Sequence, residues 1–188
     1  MMTFGLGAAE DMHYARLGEA EDRKTRAERL DESIDIVTGL WTGEEFSHAG
    51  KHFSLDRVKL QLKPVQTPRI PIWVVGAWGS AKSMRRVLRC DGIIPAKMTP
   101  QGPAYEITPE DTREILEFVQ AKRELGSPFD FVLEGETPGD DPAQARATVQ
   151  PLAEAGATWW LESLWGKVWE AGGLEAVKAR VEQGPPRS

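Results

Sequence analysis

Several groups of residues in this 188-residue chain have types and spacing that could do chemistry. The first is Val75-Gly-Ala-Trp-Gly-Ser80. A strand that ends in small residues bares backbone N–H groups, and a helix beginning at Ser80 adds its positive end, so a phosphate can sit there. Small residues also let a ligand approach the backbone closely. Gly76, Ala77, Trp78, Gly79 and Ser80 are therefore the candidate phosphate-binding set. A plainer reading stays open beside it: a tight connection in which glycine serves only the turn. The second group is Phe4-Gly-Leu-Gly-Ala-Ala-Glu10. Glu10 would project from a strand end, where barrel enzymes place reactive groups. A desolvated carboxylate there could act as acid or base, although an exposed loop glutamate is the commoner outcome.

Other polar residues carry weaker signals. His13, His48 and His52 lack metal-ligand spacing with acidic partners. They read as surface or loop residues, and only His13, near Glu10, stays a site candidate. Glu134, Glu136 and Glu162 follow expected strands and read as solvated loop carboxylates. Four of the seven tryptophans, at 159, 160, 165 and 169, could stack on a ring-shaped ligand or an apolar substrate. Core packing or an oligomer contact explains them equally well.

The elements that must position these residues follow from periodicity and punctuation. Phe4–Ala8 reads as a short strand ending in a loop. Ala27, Leu30, Ile34, Val37 and Trp41 recur at helical spacing, predicting a helix from about Asp22 to a stop at Thr42-Gly43. Residues 43–69 read as an irregular, proline-bearing connection with a small hairpin between Phe46 and Phe53. Residues 70–75 form a β-branched strand apolar on both faces, as a covered parallel strand requires. Ser80 caps a helix carrying Met84, Val87 and Leu88, and residues 91–95 read as the next strand. Thr108-Pro-Glu-Asp111 starts a helix that stops at Gly126. Residues 129–133 and 158–161 are strands. Asp141-Pro142 opens a helix that stops at Gly156, and Leu174, Val177 and Val181 mark the last one. About five strand–helix repeats predict a parallel sheet covered by helices. Residues 1–184 form one domain, and 185–188 a polar tail.

Composition narrows the class. Hydrophobic content of 40% and charged content of 28% are ordinary for a globular protein. The net charge of −6 disfavours a nucleic-acid or anionic-membrane surface. The single cysteine, Cys90, excludes an internal disulfide and paired-cysteine zinc sites. Without a spanning apolar run or a signal-peptide pattern, the expected location is the cytoplasm.

Four blocks in order carry a family resemblance: Gly5-Leu-Gly7; Arg26 through Trp41 with Thr42-Gly43; Pro71-Ile-Trp-Val-Val-Gly-Ala77; and Asp91-Gly92. Over roughly residues 4–97 the chain resembles the bacterial-luciferase-like family of flavin- and deazaflavin-dependent oxidoreductases and monooxygenases. The resemblance implies an α/β fold of the (β/α)8 TIM-barrel type. It also implies FMN or a deazaflavin (coenzyme F-420) at the C-terminal strand ends. The turn Gly76–Ser80 would hold the cofactor phosphate through backbone N–H groups, and Glu10 would lie near the reacting carbon. Family members carry about three further strand–helix units before the segment matching Phe4, so the expectation is a partial barrel with N-terminal units missing. Self-association, or an N-terminal half-barrel partner chain, would complete the site around a small-molecule substrate. A non-catalytic half-barrel subunit or remnant is the alternative, and an unrelated phosphate-binding module ranks last.

Overall fold

The computed structural model describes residues 1–7, 14–100, 102–164 and 172–185. The chain divides into two compact units, Met1–Val75 and Gly76–Ser188. Strand β4, Ile72–Trp78, runs through the boundary.

In the first unit, β1 (Met2–Phe4) lies parallel to the first half of β4, pairing Met2 with Ile72 and Phe4 with Val74. A 3-10 turn at Tyr14–Leu17 precedes helix α1, Arg23–Trp41. Asp22 starts α1 by accepting the Thr25 N–H at 2.8 Å, which satisfies one of the donors a helix start leaves open. The expected apolar face is there, with Leu30 and Ile34 buried. Arg26 ties α1 to the end of β1 by donating to the carbonyls of Leu6 at 3.0 Å and Gly7 at 2.8 Å.

The stretch expected to be mostly irregular instead holds a full antiparallel ribbon, β2 (Glu45–Ala49) and β3 (Ser54–Lys59). Its turn is held from outside. The Glu32 carboxylate on α1 accepts the N–H groups of Lys51 at 2.8 Å, His52 at 3.0 Å and Phe53 at 2.8 Å. His52 lies in the turn between the two strands, as a loop residue, whereas His48 is a half-buried residue of β2 itself. His52 Nε2 lies 2.9 Å from Glu28, and His48 Nε2 lies 3.5 Å from Glu32.

The second unit takes up the end of β4 and continues through α2 (Ala81–Val87), β5 (Gly92–Thr99), β6 (Gly102–Ala104), α3 (Pro109–Lys122), β7 (Asp130–Gly135), α4 (Pro142–Glu154), β8 (Trp159–Glu162) and α5 (Gly173–Gln183). Five parallel strands follow the order β1-β4-β5-β7-β8, with β6 added antiparallel to β5. The expected α/β plan of successive strand–helix units is therefore present. Ile72, Val74, Ile93, Phe131 and Val132 are fully buried, and each such side chain contributes about 1.5–3 kcal/mol.

Three boundaries differ from expectation for physical reasons. Strand β4 begins at Ile72 and runs to Trp78, so Gly76, Ala77 and Trp78 are strand residues and not a turn. Helix α3 ends at Lys122, before Gly126, because Arg123 leaves the helix and is held elsewhere. Its guanidinium donates to the carbonyls of Cys90 at 3.0 Å and Ser127 at 2.7 Å. Strand β6 escaped notice because Pro103 argues against a strand; as a short addition beside β5 it tolerates proline.

On α5 the expected apolar stripe fails. Leu174 and Val181 are exposed, and Arg180 fastens the helix through polar contacts instead. Of the tryptophans, Trp159 is exposed and donates to Asp130 at 3.1 Å. Trp160 donates to Glu162 at 3.3 Å. Trp165 and Trp169 lie outside the described residues.

Candidate functional site

The C-terminal end of β4 is built from a strand, a glycine turn and a capped helix. Gly76 sits where any side chain would collide: a Cβ there would lie 2.6 Å from Ile93 Cδ1 and 2.7 Å from Val87 Cγ2. Its missing side chain is explained by helix-to-sheet packing. Trp78 sets its ring edge-on to Phe118 of α3, 5.5 Å between centroids, so its indole belongs to the same packed layer.

Gly79 differs. It holds φ +91, a region that L side chains rarely adopt. A Cβ there would meet nothing closer than Met98 Cβ at 3.6 Å. Conformation, not crowding, requires the glycine. The Ser80 N–H closes the turn on the Ala77 carbonyl at 3.0 Å. The Ser80 side chain caps the Ser83 N–H at 3.5 Å, and Ser83 Oγ accepts the Ala77 N–H at 2.9 Å.

After these bonds, the backbone N–H groups of Gly79, Ala81 and Lys82 have no acceptor among the described residues. They cluster at the first turn of α2, the arrangement that receives an anionic oxygen. The two signals in the residues thus separate. Gly76 serves packing, half-buried Trp78 packs on Phe118, Ala77 and Ser80 build the turn, and Gly79 with the start of α2 leaves N–H groups without an acceptor among the described residues.

Lys82 was missed in the sequence although its position was readable there. It stands in the first turn of α2, where a cation opposes the helix dipole. A bound anion would reverse that penalty. Residues 81–89 also carry Arg85, Arg86 and Arg89 and no acid, in a chain of net charge −6.

Two polar groups flank the other strand ends. Lys97, near the end of β5, donates to Asp111 Oδ2 at 2.9 Å, and the same oxygen accepts the Thr108 N–H at 3.0 Å and its hydroxyl at 2.8 Å. Burial alone would raise the Asp111 carboxyl, but bonds from Lys97 and Thr108 outweigh it and hold the group below its ordinary value. Glu162, expected to be solvated, is instead half-buried at the end of β8 and bonded to Thr137, Trp160 and Arg180. Burial would raise its carboxyl too, and the Thr137, Trp160 and Arg180 contacts more than offset it. A carboxylate engaged this way is a poor proton donor. Glu134 and Glu136 are exposed. Glu10 and His13 lie outside the described residues. No cluster of three metal-ligating side chains occurs among the described residues, and none of their helices is long and apolar enough to cross a membrane.

Comparison with known proteins follows the same outline. A sequence profile described as luciferase-like monooxygenase matches residues 2–181. An F420-dependent glucose-6-phosphate dehydrogenase from Nakamurella multipartita is 31% identical over 94 residues, 50% of this chain and 27% of the dehydrogenase. An uncharacterised protein from Mycobacterium tuberculosis is 40% identical over 67 residues, 36% of this chain and 22% of that protein. The chain thus aligns with about a quarter of the length of these curated relatives.

Among solved structures, a monooxygenase from Streptomyces bottropensis aligns with TM-score 0.55 at 15% identity, covering 96% of this chain and 48% of that one. An F420-dependent secondary alcohol dehydrogenase, solved with an F420-acetone adduct, aligns with TM-score 0.54 at 14% identity, covering 98% of this chain and 61% of that one. At such identities the structural likeness speaks to fold alone: the α/β strand–helix plan of part of a TIM-type barrel. With the profile spanning nearly all of its residues, the chain belongs to the luciferase-like monooxygenase family.

Proposed function

We propose that this chain is an oxidoreductase polypeptide that binds a deazaflavin of the coenzyme F-420 type, with FMN as the alternative. The cofactor phosphate would sit at the Gly79–Ser80 turn. The observation that carries this reading is the set of three unclaimed N–H groups at Gly79, Ala81 and Lys82, with a lysine in the one helical turn where a cation is otherwise unfavourable. Two curated relatives named for F420 dependence support the deazaflavin over FMN.

Gly76, Ala77 and Trp78 contribute through backbone placement, Gly79 through its left-handed turn, and Ser80 by capping α2. When bound, the cofactor would supply the hydride-transferring ring, and the protein would supply binding and orientation. Glu10 is carried into the proposal as the acid near the reacting carbon, on the family resemblance. Among the described residues the strand order ends at β1 on one side and β8 on the other, and strand edges left unpaired favour pairing with another chain. We therefore include self-association or a partner chain in the working form of the site.

The test is a fluorescence titration of the purified chain with coenzyme F-420 and, separately, with FMN. Binding of F-420, weakened about two- to fivefold by Lys82→Ala at low salt, is the expected result for one partly exposed ion pair. Binding of neither cofactor, or an affinity indifferent to Lys82, would sink the assignment of this turn as the phosphate site.

A further inference from the structure

Strand β5 overruns its neighbour. It starts level with β7, Gly92 beside Asp130 and Ile93 beside Phe131, but β5 continues to Thr99 while β7 stops at Gly135. Counted from that shared start, Met98 and Thr99 stand past the end of β7. There the chain folds back. Strand β6 pairs Pro103 with Met98 and Gly102 with Thr99, and the Thr99 hydroxyl donates to the Gly102 carbonyl at 2.8 Å.

Two contacts fix which way this ribbon faces. Lys97 reaches toward α3, where its ammonium donates to Asp111 Oδ2 at 2.9 Å. Successive strand residues point to opposite faces, so Met98 points away from α3. Its Cβ lies 3.6 Å from the position a Cβ would take on Gly79. Apart from the glycine's own chain neighbours, no other described atom comes within 4 Å of that position. Met98 is 39% exposed. An apolar side chain is thus left bare beside the turn whose N–H groups have no acceptor among the described residues.

Ligand sites join apolar lining to a few placed polar groups. The turn offers the donors, and Met98 offers the apolar surface. A thioether on an unbranched chain also adapts to the shape laid on it. We propose that Met98 is a ligand-contact residue, against which the carbon chain carrying the cofactor phosphate lies. The Lys97–Asp111 bond holds the ribbon that presents it. This rests on the cofactor reading above. FMN and F-420 both carry their phosphate as an ester of a carbon chain, so a phosphate at Gly79 brings carbon to Met98.

The test uses the full chain with F-420, and with inorganic phosphate as a competitor at constant ionic strength. Met98→Ala should weaken F-420 binding about three- to tenfold. Met98→Leu keeps the apolar volume and should stay within about twofold of the parent. Inorganic phosphate has no carbon chain, so its own inhibition constant should change less than about twofold in Met98→Ala. In the parent, the isotope-labelled Met98 methyl resonance, assigned by its loss in Met98→Leu, should move as F-420 saturates.

An F-420 affinity unchanged in Met98→Ala, or a methyl resonance that stays fixed during saturation, overturns the contact while the cofactor reading stands. Equal losses of F-420 and phosphate affinity also overturn it, because Met98 would then only support the turn. A parent chain that does not bind F-420 defeats the cofactor reading, and the contact with it.

Discussion

Replacing Gly76 with alanine separates the two explanations of the glycine-bearing strand end. A Cβ at Gly76 would lie 2.6 and 2.8 Å from Ile93 Cδ1 and Cγ1 and 2.7 Å from Val87 Cγ2. Both neighbours are fully buried, so neither methyl can swing into solvent. Overpacking of this kind costs roughly 1–3 kcal/mol. Removing a glycine from a strand interior returns about 0.5–1 kcal/mol. The net loss should centre near ~1 kcal/mol, which for a chain of this length lowers Tm by about 2–4 °C. Gly79→Ala meets open space but must hold φ +91. It should lose about 1 kcal/mol through backbone strain alone, and on the proposed function it should also disturb cofactor affinity. Urea unfolding and F-420 titration of both variants give the answer. If Gly76→Ala were as stable as the parent yet bound cofactor worse, the packing account would fail and Gly76 would be a ligand-contact glycine. If Gly79→Ala left affinity untouched, the turn would be only a turn.

Other outcomes follow from the same contacts. The Glu28 carboxyl on α1 is pulled down to about 2, first by the bond from Lys51 and then by that from His52. A depressed carboxylate stabilises the fold above its unfolded value of 4.5 and loses that contribution as pH falls toward 2. Amide protection factors in the β2–β3 ribbon, corrected for the intrinsic pH dependence of exchange, should therefore fall on acidification across that window, and Glu28→Gln should flatten the dependence; an unchanged profile would refute it. Thr108→Ala removes a capping box in which the Thr108 and Asp111 side chains satisfy each other's backbone N–H groups. About 1 kcal/mol of stability should be lost, and urea denaturation would expose a neutral result. Light scattering on the eluting protein should show an oligomer; a clean monomer that still binds F-420 would remove association from the proposal.

What could be read from residue order was what local chemistry decides. The helix starts at Asp22, Ser80, Thr108 and Asp141 were placed correctly, and each of these side chains accepts a backbone N–H three residues on. Helix α1 and the succession of strands and helices in the second half follow from periodicity and punctuation, which are also local. The family resemblance was legible because its blocks are ordered along the chain. The misplaced end of β4 shows where this stops. Gly76-Ala-Trp78 has turn composition, and what keeps it in a strand is Gly76 against Ile93 and Val87 and Trp78 against Phe118, partners 11 to 40 residues away in sequence.

The same limit hid the polar architecture of the strand ends. Glu162 looked like any loop carboxylate because its partners, Thr137 and Arg180, lie 25 residues before it and 18 after it. Glu32 looked like one acid among several on α1, although its partners sit 19 to 21 residues on. Lys82 is the instructive exception. Its partner, if the proposal holds, is not in the chain at all, and the only trace it leaves is a cation in the first turn of a helix, where the dipole argues against one. That mismatch between a residue and its local setting could be read from order alone. Among the described residues it points to a ligand more directly than the glycines around it, because Gly76 has a packing explanation and Gly79 a conformational one.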